Sequence, residues 1–195
     1  LAWNTGMLRD GWSFEGRASR ITSDGWVDRA TSDLSSLYGR VAKRWETGRL
    51  SFTTTLGHER TYQAWYGVPQ IVANPESTDE DILNWVQGSG EYGYGADTVR
   101  VADLLDRRAQ HNYYRYENEV DDYRQDHHQI HLDQSWGEWD FGGVLYATLG
   151  AGFYEQFRQG DDLSDYGLAP LVMGTDTTFA TDLVRRRWLD NTLIG

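Results

Sequence analysis

The sequence predicts an all-β fold: an antiparallel sheet of about seven long strands, patterned like a segment of transmembrane β-barrel wall, with long loops at one end. Three observations predict it. The stretch from Trp139 to Tyr154 alternates strictly. Trp139, Phe141, Gly143, Leu145, Ala147, Leu149, Ala151 and Phe153 fall on one side, and Asp140, Gly142, Val144, Tyr146, Thr148, Gly150, Gly152 and Tyr154 on the other. Connections alternate in length, with short turns near 9–11, 46–49 and 137–138 and long loops over 25–33, 63–123 and 159–183. Aromatic residues then collect at both strand ends. Trp12, Trp45, Trp136 and Trp139 abut the short turns, while Trp26, Tyr62, Trp65, Tyr123, Phe153 and Tyr154 lie near the long loops. Two such belts are expected where amphipathic rings meet lipid headgroups.

The strand candidates are 1–8, 12–24, 34–45, 50–62, 124–136, 139–158 and 184–194. In the second, Trp12, Phe14, Gly16 and Ala18 oppose Ser13, Glu15, Arg17 and Ser19. In the third, Leu37, Gly39, Val41 and Trp45 oppose Ser36, Tyr38, Arg40 and Arg44. Glu46 to Arg49 makes a four-residue turn, and Leu50, Phe52, Thr54 and Leu56 then oppose Ser51, Thr53, Thr55 and Gly57. Over 63–123 the two-residue period vanishes. Two short helices are expected there, one capped by Ser77 ahead of Asp79 and Glu80, one starting after Asp97 with Val101, Leu104 and Leu105. In the fifth strand Ile130, Leu132 and Trp136 share a face against Gln129, His131, Asp133 and Ser135, and Gly137-Glu138 turns the chain into the sixth. The stretch 159–182 reads as irregular, and the facing of 184–194 stays open.

Composition narrows the function classes. Nine Trp, twelve Tyr and 21 Gly accompany a mean hydropathy of −0.67 and no apolar run near 18 residues, which excludes a membrane-spanning helix but not alternating strands. A net charge of −12 argues against nucleic acid as a partner. Zero Cys excludes thiol chemistry and disulfides. Leu1 opens into strand-like sequence with no signal peptide, so a cytoplasmic chain or an interior piece of a longer one is expected. A soluble, aromatic-rich β-sandwich that binds or cleaves carbohydrate is the rival. Strands of about 16 to 20 residues count against it, since sandwich strands run nearer 5 or 6.

Particular motifs carry a family resemblance. Asn4-Thr5-Gly6, Asp10-Gly11-Trp12, Arg17-Ala18-Ser19-Arg20, Ser23 to Ala30 and Ser32-Asp33-Leu34 resemble the barrel of TonB-dependent outer-membrane receptors. The likeness is strongest at Glu59 to Pro69, which resembles siderophore and iron-complex receptors of Bacteroidetes-like bacteria. It continues at Tyr123 to His127, Gly152 to Phe157 and Asp165 to Leu168, and fails over 71–118. It implies an outer-membrane location and a barrel of about 22 strands. The implied partners are outer-membrane lipid, a transported iron chelate or other bulky nutrient, and the TonB complex, which acts through a plug. Neither plug nor TonB box is read here, so the chain is expected to be a middle section of the barrel. As an isolated sheet it should be open, or close into a much smaller barrel.

No catalytic residue, metal site or cofactor is assigned, and a non-enzyme is expected. His127, Gln129, His131 and Asp133 share a strand face and could ligate a metal, but a polar, water-facing strand explains them better. The carboxylates Asp79, Glu80, Asp81, Glu117, Glu119, Asp121 and Asp122 lie in loop sequence without a nucleophile motif. Gly90, Gly93 and Gly95 do not make a phosphate loop. Aromatic residues of the long loop, including Tyr92 and Tyr94, could stack on a ligand or pack the loop itself. The ligand-binding candidates are Trp65, Tyr66, Tyr113, Tyr114, Arg115 and Tyr116, with Arg115 as charge partner.

Overall fold

A computed structural model describes residues 1–89, 94 and 97–195. One seven-stranded antiparallel sheet dominates it. Its strands are β1 (Ala2–Asn4), β2 (Trp12–Ser23), β3 (Ser32–Trp45), β4 (Gly48–Tyr62), β5 (Val120–Trp136), β6 (Trp139–Asp162) and β9 (Ala180–Ile194), in that spatial order. Every neighbour in the sheet follows in sequence, apart from the small hairpin of β7 (Leu171–Met173) and β8 (Asp176–Thr178) between β6 and β9. The sheet is open, with β1 and β9 as its edges.

All seven expected strands form, with several boundaries corrected. The stretch 1–8 yields only the three-residue β1, because Gly6 takes a φ of 64° and interrupts the ladder, although the Thr5 and Leu8 amides still donate to the Phe14 and Trp12 carbonyls of β2. The expected four-residue turn at 46–49 is a two-residue turn, Glu46-Thr47, since Gly48 and Arg49 already pair with Gln134 and Asp133 of β5. Strands β3, β5 and β9 start two to four residues early because their first residues find ladder partners that a hydropathy pattern does not register. Part of the supposedly irregular 159–182 is the end of β6 and the β7–β8 hairpin.

Register fixes the two faces, since directly opposed residues project to the same side. Phe14, Val41, Phe52, Ile130 and Leu145 form one continuous row across β2 to β6. Leu37, Leu56 and Leu149 share that face four residues further along, with Asp126 of β5 between Leu56 and Leu149. The opposite face carries Arg17, Arg40, Thr53, Gln129, Tyr146, His131 and Asp133. In β9 the ladder puts Val184, Trp188 and Ile194 on the apolar face, opposite Phe157, Phe153 and Ala147. At the short-turn end Trp3 lies across Gly16, where a Cβ would sit 2.3 Å from its indole nitrogen. Beyond the apolar rows the same face becomes ionic: Arg20 pairs with Asp33, and Arg60 and His58 both pair with Asp122.

The hydrophobic core sits elsewhere. It lies in the 63–119 connection, which folds into α1 (Gln70–Ala73), α2 (Asp79–Ser89) and α3 (Thr98–Arg107) around buried Val72, Ile82, Val86, Tyr94 and Leu104. Helix α1 has no counterpart among the expected elements. The cap of α2 is Thr78 rather than Ser77. Its hydroxyl accepts from the Asp81 amide while Asp81 accepts from the Thr78 amide, a reciprocal capping box. Asp97 caps α3 as expected, accepting from the Arg100 amide at 2.9 Å. Apolar side chains of the sheet, by contrast, stand open: Leu145 is 66% exposed, Phe141 51% and Leu37 52%. No second layer covers them among the described residues, whose only other sheet is the β7–β8 hairpin.

Candidate functional site

Where the helical module meets the far end of β6, a cleft of about 650 Å³ opens. Tyr66, Tyr113, Tyr114, Arg115 and Tyr116 line it from the module, and Gln156, Phe157 and Arg158 from the strand. Five of the six ligand-binding candidates therefore meet in one place. The sixth, Trp65, stands behind them, edge-on to Tyr114 at 6.2 Å and to Tyr154 of β6 at 5.5 Å. Ring contacts hold the wall of the cleft: Tyr66 lies 4.7 Å from Tyr113 and 5.6 Å from Tyr114, and Tyr116 stacks on Phe157 at 5.9 Å.

Glu119 fixes this geometry. Buried at the base of β5, its carboxylate accepts from the amides of Arg115 at 2.8 Å, Tyr116 at 3.0 Å and Phe157 at 3.0 Å. One side chain thus ties the binding segment to itself and to β6. Asn112 adds a second anchor, donating to the carbonyls of Asp28 and Gln63, while Tyr62 donates to the Tyr116 carbonyl. Burial pushes the Tyr62 phenol up to about 12 and the Tyr114 phenol upward as well, so both remain hydroxyl donors at neutral pH.

Charge in the cleft is unevenly balanced. Arg158 pairs with Asp161 at 2.8 Å, and that guanidinium, helped by Tyr166, holds the Asp161 carboxyl below its usual range. Arg100 has Asp97 at 3.7 Å and lies 4.3 Å over the Tyr113 ring. Glu119 is committed to backbone amides, and Asp182 accepts from Gly160. Arg115 has no carboxylate in ion-pair range among the described residues and is half-buried beside the tyrosines. The cleft can therefore stack flat groups, and Arg115 is the arginine of its lining without an ion pair, among four carboxylates and three arginines in all. Comparison of the chain with protein-family models, curated proteins and solved structures finds no match.

The remaining sequence candidates are placed as follows. Trp12 stacks on Phe14 at 6.1 Å under the Lys43 ammonium, and Trp136 lies 6.5 Å from Phe141 and directly opposite Trp139. Trp45 donates to Gln134 at 3.0 Å. All four stand at the short-turn end. His127, His131 and Asp133 share a face but are engaged separately, with Thr148, Gln129 and Arg49, and no group of three metal-ligating side chains converges among the described residues. Tyr94 packs inward, hydrogen-bonded to His111, whose pKa burial lowers despite Asp103 beside it. Gly90, Tyr92, Gly93 and Gly95 lie outside the described residues.

The sequence reading missed Arg100, Gln156, Phe157 and Arg158. Arg100 stands one turn into α3, and the others lie where β6 runs past its apolar pattern. The usable signal was the length of β6 itself, since 24 residues exceed what an ordinary sheet strand requires.

Proposed function

We propose that this chain forms part of the wall and external rim of a TonB-dependent outer-membrane transport barrel. The rim cleft captures a bulky nutrient, a ferric siderophore or similar iron complex, which then passes along the polar face. One observation carries the reading: apolar side chains of the sheet point out, uncovered, while those of the loop point in and form the core. Exposed contiguous apolar surface marks contact with lipid or protein. The dimensions support lipid. From Phe141 to Ala151 the apolar run of β6 measures about 34 Å along the strand, its last two outward positions, Leu149 and Ala151, lying opposite the Asp126–Arg124 ion pair of β5. Tilted by about 40°, it spans about 26 Å, against a lipid-facing band of about 25 Å in outer-membrane barrels. Trp12, Trp45, Trp136 and Trp139 sit at one border of that run, and the Arg60, His58 and Asp122 cluster lies past the other.

A soluble carbohydrate-binding sandwich would need a second layer over Leu145 and Phe52, which the described residues do not provide. Capture at the rim is tested by titrating the detergent-solubilised chain with ferric chelates of differing charge and following fluorescence quenching. Saturable quenching by an anionic chelate is expected, weakened about tenfold or more when Tyr66→Ala is combined with Arg115→Ala. Equal binding by that double variant would place the cargo site elsewhere.

A further inference from the structure

The polar face holds a second cationic feature, far from the rim. Arg44 of β3 lies directly opposite Arg49 of β4 in the ladder, and Arg40 stands four residues further along the same face, beyond Ala42. Directly opposed residues in an antiparallel pair have Cβ atoms about 5 Å apart, and like charges there repel. The next row inward is small: Ser13 faces Ala42, and Ala42 faces Ser51. Ala42 and Ser51 are buried although no second sheet lies above them among the described residues. A pocket of about 260 Å³ results, bordered by Asn4, Ser13, Arg40, Ala42, Arg44 and Arg49.

The carboxylates present do not neutralise it. Asp133 reaches Arg49 at 3.0 Å from β5, and Glu15, also at the pocket edge, reaches Arg40 only at 3.4 Å. Arg44 has no carboxylate in ion-pair range among the described residues. Three guanidinium groups against two carboxylates leave one surplus positive charge, in a chain whose net charge is −12. Keeping two arginines face to face is costly unless something anionic bridges them.

We infer that Arg40, Arg44 and Arg49 form a binding site for a tetrahedral oxyanion, a phosphate or phosphate monoester. A planar carboxylate is satisfied by one guanidinium fork, whereas a tetrahedral anion offers oxygens to donors from several directions, as two opposed strands supply here. The inference needs only the β3–β4 register and stands apart from the transport reading. The polar face positions the site for a free solute rather than for a lipid headgroup.

The test uses the whole chain in a nonionic detergent without phosphate headgroups, at fixed ionic strength set with sodium chloride. Inorganic phosphate is added, and its ³¹P line width and the chain's thermal midpoint are followed. Phosphate should bind with a Kd of about 1 mM and raise the midpoint. Arg44→Gln and Arg49→Gln should each weaken binding about tenfold, while Arg107→Gln, on α3 and already paired with Asp103 and Asp106, leaves it unchanged. In chloride alone Arg44→Gln should melt no lower than the parent chain, because it removes a like-charge neighbour; this second readout separates lost binding from lost folding. Acetate at equal concentration should not displace phosphate, and detergent doped with phosphatidic acid should not replace it. Absence of phosphate binding beyond the chloride control overturns the site. So does equal competition by acetate, preference for the phospholipid, or an Arg44→Gln variant that binds like the parent.

Discussion

Leu145→Arg is expected to destabilise the membrane-inserted chain by about 2–4 kcal/mol, whereas Tyr146→Arg, one residue away, should cost close to nothing. The two positions lie in the middle of β6 but on opposite faces: Leu145 is opposed by Ile130 and Tyr146 by Gln129. On the transport reading, an arginine at the first must leave water for hydrocarbon or distort the bilayer around it. At the second it joins Arg40, Thr53 and Gln129 along a polar row. Urea-dependent folding into lipid vesicles measures both. A cost of equal size at the two sites would remove the basis for lipid contact, and a larger cost at Tyr146 would mean that the faces are reversed.

Glu119→Ala should undo the rim without undoing the sheet. Three part-buried amides lose their acceptor together, at about 1 kcal/mol for each group left to water or unsatisfied. Hydrogen exchange at Arg115, Tyr116 and Phe157 should accelerate strongly, while the central amides of β3 to β5 keep their protection. Glu119→Gln sharpens the experiment. Arg115 and Tyr116 share Oε2 and Phe157 uses Oε1, so an amide that keeps its carbonyl on the first pair releases Phe157 alone. That variant should free the module from β6 while its own turn survives. Unchanged exchange at Phe157 in both variants would show that the ring contacts, not Glu119, hold the cleft.

The legible parts of the fold were those governed by a two-residue period. From Phe14 to Leu149 the alternation of side chains specified strand, face and neighbour together, because a one-residue slip would turn every apolar group to the polar side. At strand ends that constraint weakens. Val120 to Tyr123 and Ala180 to Leu183 extend the ladder without adding to an apolar stripe, so their pairing depends on the partner strand rather than on local pattern. The cleft was legible in composition but not in geometry. Six candidates were chosen as aromatic or cationic loop residues, and the convergence of five of them depends on Glu119, which as a loop carboxylate looked merely solvated. The Arg44–Arg49 pair was invisible for a related reason: only the shift from a four-residue to a two-residue turn places those residues opposite each other.

The contrast between the two ends of the sheet also gives it a polarity for insertion. At one end the strands are joined by Glu46-Thr47 and Gly137-Glu138, links so small that drawing them through hydrocarbon strands only a few peptide groups. At the other end stands a folded helical body with its own core and a rim of ion pairs, whose passage would require unfolding and the desolvation of many charges. On the transport reading, a chain that enters vesicles unaided from outside should therefore lead with the hairpin tips and leave the helical body outside. Vesicles loaded from outside should carry the 63–119 segment wholly open to added protease, and an even split between protected and cleaved molecules would mean that the chain enters in either direction.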